Sequence, residues 1–241
     1  MKKKIILLKL TGTIFTDPKT KKMTRSFIDS IIEQLKQLSK SYQIGIVIGG
    51  GNFFRGSRDN DTLKLRPSIA HTIGMMGTAM NGLILYDLLE KEDIKTTLFC
   101  ALNCHDAGKP ISQQSIDNAL TEKDILIFSG GTGNPYISTD TNAVIRAQEI
   151  GATELWKATD VDGIYSTDPK KDSHAQFIRQ ETYQNALNNN VHIMDRAALI
   201  LAQEGNLTTR FFNVFEKNAL ITAAKDKNFG STMIHLKGTH T

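Results

Sequence analysis

Gln43-Ile44-Gly45-Ile46-Val47-Ile48-Gly49-Gly50-Gly51-Asn52-Phe53-Phe54-Arg55-Gly56 runs from a short apolar stretch straight into three glycines and an arginine. The apolar part has the length and continuity of a buried strand. At its end, bare backbone amides can approach an anion, and Arg55 can fork onto phosphate oxygens. The competing reading is a strand-to-loop turn whose glycines supply positive φ. Upstream, Ile5 to Leu10 is another apolar run, ending at Thr11-Gly12. Between the two runs Phe27, Ile28, Ile31, Ile32, Leu35 and Leu38 recur at helical spacing among polar residues. Strand, helix, strand in this order opens a parallel βαβ unit.

Downstream the alternation continues, with helices expected over about 67–89, 112–120, from 140 onward, 195–204 and 219–225. Strands are expected at 96–99, 125–128, 154–157, 210–214 and 232–236. This implies an α/β fold, a mostly parallel central sheet with helices on both faces. No linker or repeat interrupts it, so residues 1–241 read as a single domain. The unusual segments, Lys9 to Gly12, Gly49 to Gly51, Gly130 to Asn134 and Lys157 to Thr159, each follow a strand directly. In a parallel sheet those strand ends share one edge, where open α/β folds hold their ligands.

Of 241 residues, 40% are hydrophobic and 22% charged, which suits a globular chain with a sizeable core. The 29 basic and 25 acidic residues are spread along the chain. That pattern argues against a nucleic-acid binder, while a mild positive excess favours small polyanions. No apolar run approaches the ~20 residues of a membrane-spanning helix. After Met1-Lys2-Lys3-Lys4 only Ile5 to Leu8 are apolar before Lys9, so no secretion signal is expected and the location expected is cytoplasmic. Cys100 and Cys104 form no disulfide framework, and neither a second CxxC nor a His pair completes a zinc site. His105, His174, His192, His235 and His240 show no ligand spacing and read as surface residues. Met75, Met76, Met80 and Trp156 read as core.

Chemistry concentrates in four places. Lys9 interrupts an apolar strand just before Thr11-Gly12, which aims it at the cleft, where it would bridge two phosphate groups. Neither a Walker loop nor a Gly-x-Gly-x-x-Gly fingerprint is present, so phosphate is held by another scheme. The loop from Gly130 to Asp140 is dense in glycine and hydroxyls; Thr139 or Asp140 reads as the cap of the helix it opens. Its amides and hydroxyls suit an acceptor phosphate, with Asp140 facing a triphosphate and its magnesium. In the run from Lys157 to Pro169, Tyr165 can lie against a flat base and Asp168 can accept from an amino group. Two phosphorylated small molecules and a phosphoryl group passed between them are the expectation.

The strings Gly-Gly-Gly-Asn-x-Phe-Arg-Gly from Gly49 and Gly-Thr-Gly-Asn-Pro from Gly131, the second closing at Thr139-Asp140, occur together with Lys-Ala-Thr-x-Val-Asp-Gly-x-Tyr-x-x-Asp-Pro from Lys157 and with Met194-Asp195. In combination, from Leu7 to Leu236, they resemble the bacterial UMP kinases, a family of the amino acid kinase superfamily. The resemblance implies an αβα sandwich with an acceptor-binding N-terminal part and an ATP-binding C-terminal part. It implies transfer of the γ-phosphoryl group of ATP to UMP in pyrimidine nucleotide biosynthesis. Lys9, Arg55 and Asp140 would be catalytic, and Lys9, Leu10, Thr11, Gly12, Gly51 and Arg55 would meet ATP phosphates, with Thr159, Tyr165 and Asp168 at the adenosine. UMP would be held by Gly50, His71, Thr132, Gly133, Asn134, Pro135, Tyr136, Ile137, Ser138 and Thr139. Magnesium would arrive with ATP, Asp195 would lie near the nucleotide, and the assembly would be a nucleotide-regulated homohexamer. Three positions depart from the family: Thr13 for a glutamate, Asp160 for a residue often basic, and His71 for the aspartate that grips the UMP ribose hydroxyls. The rival to an enzyme is a nucleotide-binding regulatory or storage protein on the same fold without catalysis.

Overall fold

Ile6, Leu8 and Leu10 turn to one side of the first strand and Leu7 to the other, and all four are buried, so this strand has core on both faces. The computed structural model describes residues 3–189, 191 and 193–235, without the side chains of 56–58. His192, His240 and the expected strand end at Leu236 lie outside the described residues. In chain order the elements are β1 (Lys4–Leu10), α1 (Ile28–Leu38), β2 (Tyr42–Ile48), α2 (Gly56–Leu63), α3 (Pro67–Glu90), β3 (Thr96–Cys100) and β4 (Lys109–Pro110). There follow α4 (Gln113–Glu122), β5 (Ile125–Ser129), α5 (Thr139–Glu149), β6 (Glu154–Thr159), β7 (Ile164–Tyr165), β8 (Phe177–Ile178) and β9 (Gln180–Thr182). The last are α6 (Tyr183–Asn188), α7 (Arg196–Glu204), β10 (Thr208–Asn213), α8 (Ala219–Lys225) and β11 (Ser231–Ile234).

Nine strands form one sheet in the order β4-β3-β5-β2-β1-β6-β10-β11-β9, and β7 and β8 form a separate small hairpin. Within the sheet every neighbouring pair is parallel except β10 with β11. Helices α1, α3 and α8 cover one face with Ile31, Leu35, Leu85, Leu89 and Leu220. On the other face lie α4, α5, α6 and α7, through Ile116, Val144, Ala186 and Leu199 among others. The αβα sandwich expected from the alternating pattern is therefore present, with β1 between β2 and β6.

Several local readings are corrected. Met75 is buried as expected, but Met76 and Met80 are 55% and 43% exposed, because α3 is apolar on its outward side as well. Ser138 is the cap of α5, rather than Thr139 or Asp140; its hydroxyl accepts from the amides of Asp140 and Thr141. None of Gly49, Gly50 and Gly51 has positive φ. Gly50 is needed for closeness instead: a Cβ there would stand 2.6 Å from the Gly74 carbonyl oxygen of α3. Trp156 is core, and Cys100 and Cys104 are free thiols.

Candidate active site

Side-chain alternation places Lys9 on the same sheet face as Leu7, the face that α5 covers. Its register partner on β6 is Lys157, with Leu155 behind it in the same core. Two ammonium groups thus stand side by side at the carboxyl edge of adjacent strands, where only an anion above them makes their burial tolerable. The start of α5 supplies it. Asp140 Oδ1 lies 2.9 Å from Lys9 Nζ, and Asp140 Oδ2 lies 2.5 Å from Lys157 Nζ. Lys157 also donates to the carbonyl of Ile193.

Burial alone would raise the Asp140 carboxyl, but the charges of Lys157 and Lys9 outweigh it and hold the group well below the ordinary carboxylate range. For Lys157 burial dominates, and with the repulsion of Lys9 it pulls the ammonium below its usual value against the attraction of Asp140. The charge of Asp195 also acts on Lys157, so the two ammonium groups are matched by two nearby carboxylates. The geometry is fixed from α7, whose N-cap, Asp195, accepts from the Ala198 amide at 3.1 Å. Its carboxylate also accepts from the Thr141 hydroxyl at 2.9 Å and from the Ser138 hydroxyl. The first turns of α5 and α7 are thereby tied together directly beside Asp140.

The loops after β1 and β2 are locked by a buried amide on α3. Asn81 donates to the Gly49 carbonyl and to Asn52 Oδ1, both at 2.7 Å, and accepts from Asn52 Nδ2 at 3.1 Å. Gly12 packs into the same cluster, since a Cβ there would be 2.4 Å from the Gly49 carbonyl oxygen and from Asn52 Oδ1. Thr11 and Thr13 face each other through their hydroxyls, 3.0 Å apart. Arg55 lays its guanidinium along Gly51. Thr78 donates to the Met75 carbonyl and accepts from the Gly130 amide, which anchors the start of the next loop to α3. In that loop Gly130, Gly131 and Gly133 all have positive φ. Tyr136, also left-handed at φ 69°, sets its ring 4.9 Å from the His71 ring.

Two cavities flank the Lys9–Asp140–Lys157 cluster. One, of about 420 Å³, is lined by Gly50, Gly51, Phe54, His71, Ile137 and Thr139 among others. The second, of about 380 Å³, is lined by Lys157, Thr159, Asp160, Tyr165, Asp168 and Lys170 among others. Thr139 opens onto the first beside Asp140, and Lys157 opens onto the second, so the cluster stands between them. Gly51, expected at the ATP phosphates, lines the first cavity. Thr132 instead faces a larger open cavity of about 960 Å³ along β3 and β4. Asp160 is held by Lys170 across the mouth of the second cavity at 2.5 Å. Among the described residues no group of three or more His, Cys, Asp or Glu side chains is placed to hold a metal.

In the sequence Lys157 stands out as a strand-end lysine without an evident role, and Asn81 and Thr78 do not stand out at all. A second strand-end lysine was a signal for the first. For the others the signal that could have served is a polar residue inside an otherwise apolar helix.

A family model described as the amino acid kinase family matches residues 4–213. The chain is 40% identical to a uridylate kinase of Mycoplasma genitalium over 92% of each chain. It is 36% identical to a uridylate kinase of Thermotoga maritima, covering 95% of this chain and 98% of that one. A crystal structure of UMP kinase from Ureaplasma parvum superposes with a TM-score of 0.91 at 33% identity, over 97% of this chain and all of the other.

Proposed function

The chain belongs to the amino acid kinase family, and we propose that it acts there as a UMP kinase, converting ATP and UMP to ADP and UDP. The observation that carries this reading is the paired-lysine cluster on Asp140, set between two cavities each of a size to hold a nucleotide. UMP occupies the cavity against Gly50, His71 and Thr139, with the loop from Gly133 to Ser138 around its phosphate. ATP lies with its adenosine against Thr159, Tyr165 and Asp168, and its phosphates run toward Lys9, Gly12 and Arg55. Residues 1–241 act as one domain, with an acceptor-binding N-terminal part and an ATP-binding C-terminal part.

The second ionisation of a phosphate monoester lies near ~6, so the UMP phosphate is largely dianionic at neutral pH and needs no general base. One of its oxygens attacks the γ-phosphorus, and the bond from that phosphorus to the β,γ-bridging oxygen breaks, with the electron pair leaving on ADP. Lys9 and Arg55 meet the charge on the transferring group, and Asp140 fixes Lys9 so that it need not reorganise during transfer. Magnesium arriving with ATP would neutralise phosphate charge, and Asp140 is the side chain that would face it.

The protein is proposed to work in the cytoplasm, without nucleic-acid or membrane partners; no helix among the described residues is long and apolar enough to cross a membrane. Assembly as a homohexamer is proposed with it. The test is to mix the protein with magnesium-ATP and UMP, CMP, AMP or GMP and to measure each diphosphate formed. UDP from UMP well above the other products is the expected result. ATP binding without any diphosphate would favour a nucleotide-binding protein that lacks catalysis.

A further inference from the structure

The acceptor cavity contains an unusual set of polar side chains. Among the described residues that line it, those with side-chain hydrogen-bonding groups are Asn60, His71, Thr78 and Thr139, and none is a carboxylate. Asn60 is already engaged at both ends of its amide with Leu65, donating to the carbonyl at 3.2 Å and accepting from the amide at 2.8 Å. Thr78 is engaged with Met75 and Gly130. Thr139 lines the cavity from the start of α5, beside Asp140. His71, on α3, is where the resemblance to the UMP kinases puts the contact to the acceptor's ribose hydroxyls.

We propose that His71 makes this acceptor site nearly indifferent to the 2′-hydroxyl, so that deoxyribonucleoside monophosphates of the accepted base are phosphorylated about as well as ribonucleotides. The inference rests on the acceptor-site reading given above. A ribose diol presents two hydroxyl donors on adjacent carbons. A carboxylate there accepts from both at once, whereas neutral imidazole has one acceptor and one donor, and protonated imidazole has no acceptor at all. In no state does His71 take both protons.

Charge and burial together decide how strongly a missing hydroxyl is felt, because hydrogen bonds to a carboxylate are stronger than those to neutral imidazole. Sites that reject an analogue lacking a hydroxyl do so because a buried polar group is left without a partner. His71 is exposed, with the Tyr136 ring on one side. Water therefore replaces any bond the 2′-hydroxyl made. What remains is one solvent-compensated hydrogen bond, which is worth about tenfold or less.

The experiment measures kcat/KM for UMP and dUMP with the unmodified protein and with His71→Asp, and Kd for both nucleotides by calorimetry. The expected ratio of kcat/KM, UMP over dUMP, is within about tenfold for the unmodified protein, and it rises at least about tenfold further in His71→Asp through UMP rather than dUMP. A larger ratio in the unmodified protein overturns the inference, as does a ratio that His71→Asp leaves unchanged. If the variant does not fold, the ratio in the unmodified protein decides alone. Similar Kd values without turnover of either nucleotide would support the sugar inference while removing the kinase reading. Failure to bind either nucleotide overturns both.

Discussion

Lys9 owes its place to strand alternation: as a neighbour of Leu8 and Leu10 it must turn away from their core, and the face it turns to is the one α5 covers. Its position in an apolar run was legible in the sequence for that reason. Lys157 was not assigned, because its partnership with Lys9 is a matter of strand register, which no local pattern reveals. Lys9→Ala should fold normally by circular dichroism and lose roughly 10²-fold or more in kcat, the usual scale for removing one charge-stabilising donor. Asp140→Asn leaves two neighbouring ammonium groups without their anion and should cost about 3–5 kcal/mol in urea unfolding. The pH dependence has a definite sign. The folded Asp140 carboxyl binds its proton more weakly than the unfolded one, whose reference value is 3.8, so its contribution is complete above that value and is lost as pH falls through the lower folded value. The difference in melting temperature between the unmodified protein and Asp140→Asn should be flat from mildly acid to neutral pH and shrink only in strong acid.

At the scale of elements, the long helices and buried strands were readable from apolar periodicity, usually to within two residues. The exceptions have physical causes. Helix α2, Gly-Ser-Arg-Asp-Asn-Asp-Thr-Leu, carries almost no apolar residue and so no period to detect. The β7–β8 hairpin has two residues per strand and is held by the Tyr165–Phe177 ring contact, which joins residues twelve apart. The loops after β1 and β2 depend on α3 through Asn81, which is fully buried and bridges Gly49 and Asn52. Asn81→Ala removes all three of its side-chain bonds and leaves the Gly49 carbonyl without that donor. It should lower stability by about 1–3 kcal/mol and raise KM for UMP, measured by denaturant unfolding and steady-state kinetics.

For the whole molecule, the strand order puts β1 in the middle of the sheet and gathers four strand ends on one edge, so residues far apart in sequence meet at Asp140. That convergence was legible from where the unusual segments fall. The outward side of α3 was not, because an apolar residue on a long apolar helix looks like core until the packing is known. Ile69, Met76, Met80 and Leu83 form an exposed stripe along one side of that helix. If copies of the chain assemble through it, as proposed for the homohexamer, Met80→Glu should shift sedimentation toward smaller species with the fold retained. The central claim is direct phosphoryl transfer between the two cavities across the Lys9–Asp140–Lys157 cluster. A single-turnover quench with γ-labelled ATP, magnesium and UMP tests it. The label should pass into the β-phosphate of UDP at the rate ATP disappears, with none on the protein. Label accumulating on the protein, or released as inorganic phosphate instead of UDP, would contradict it.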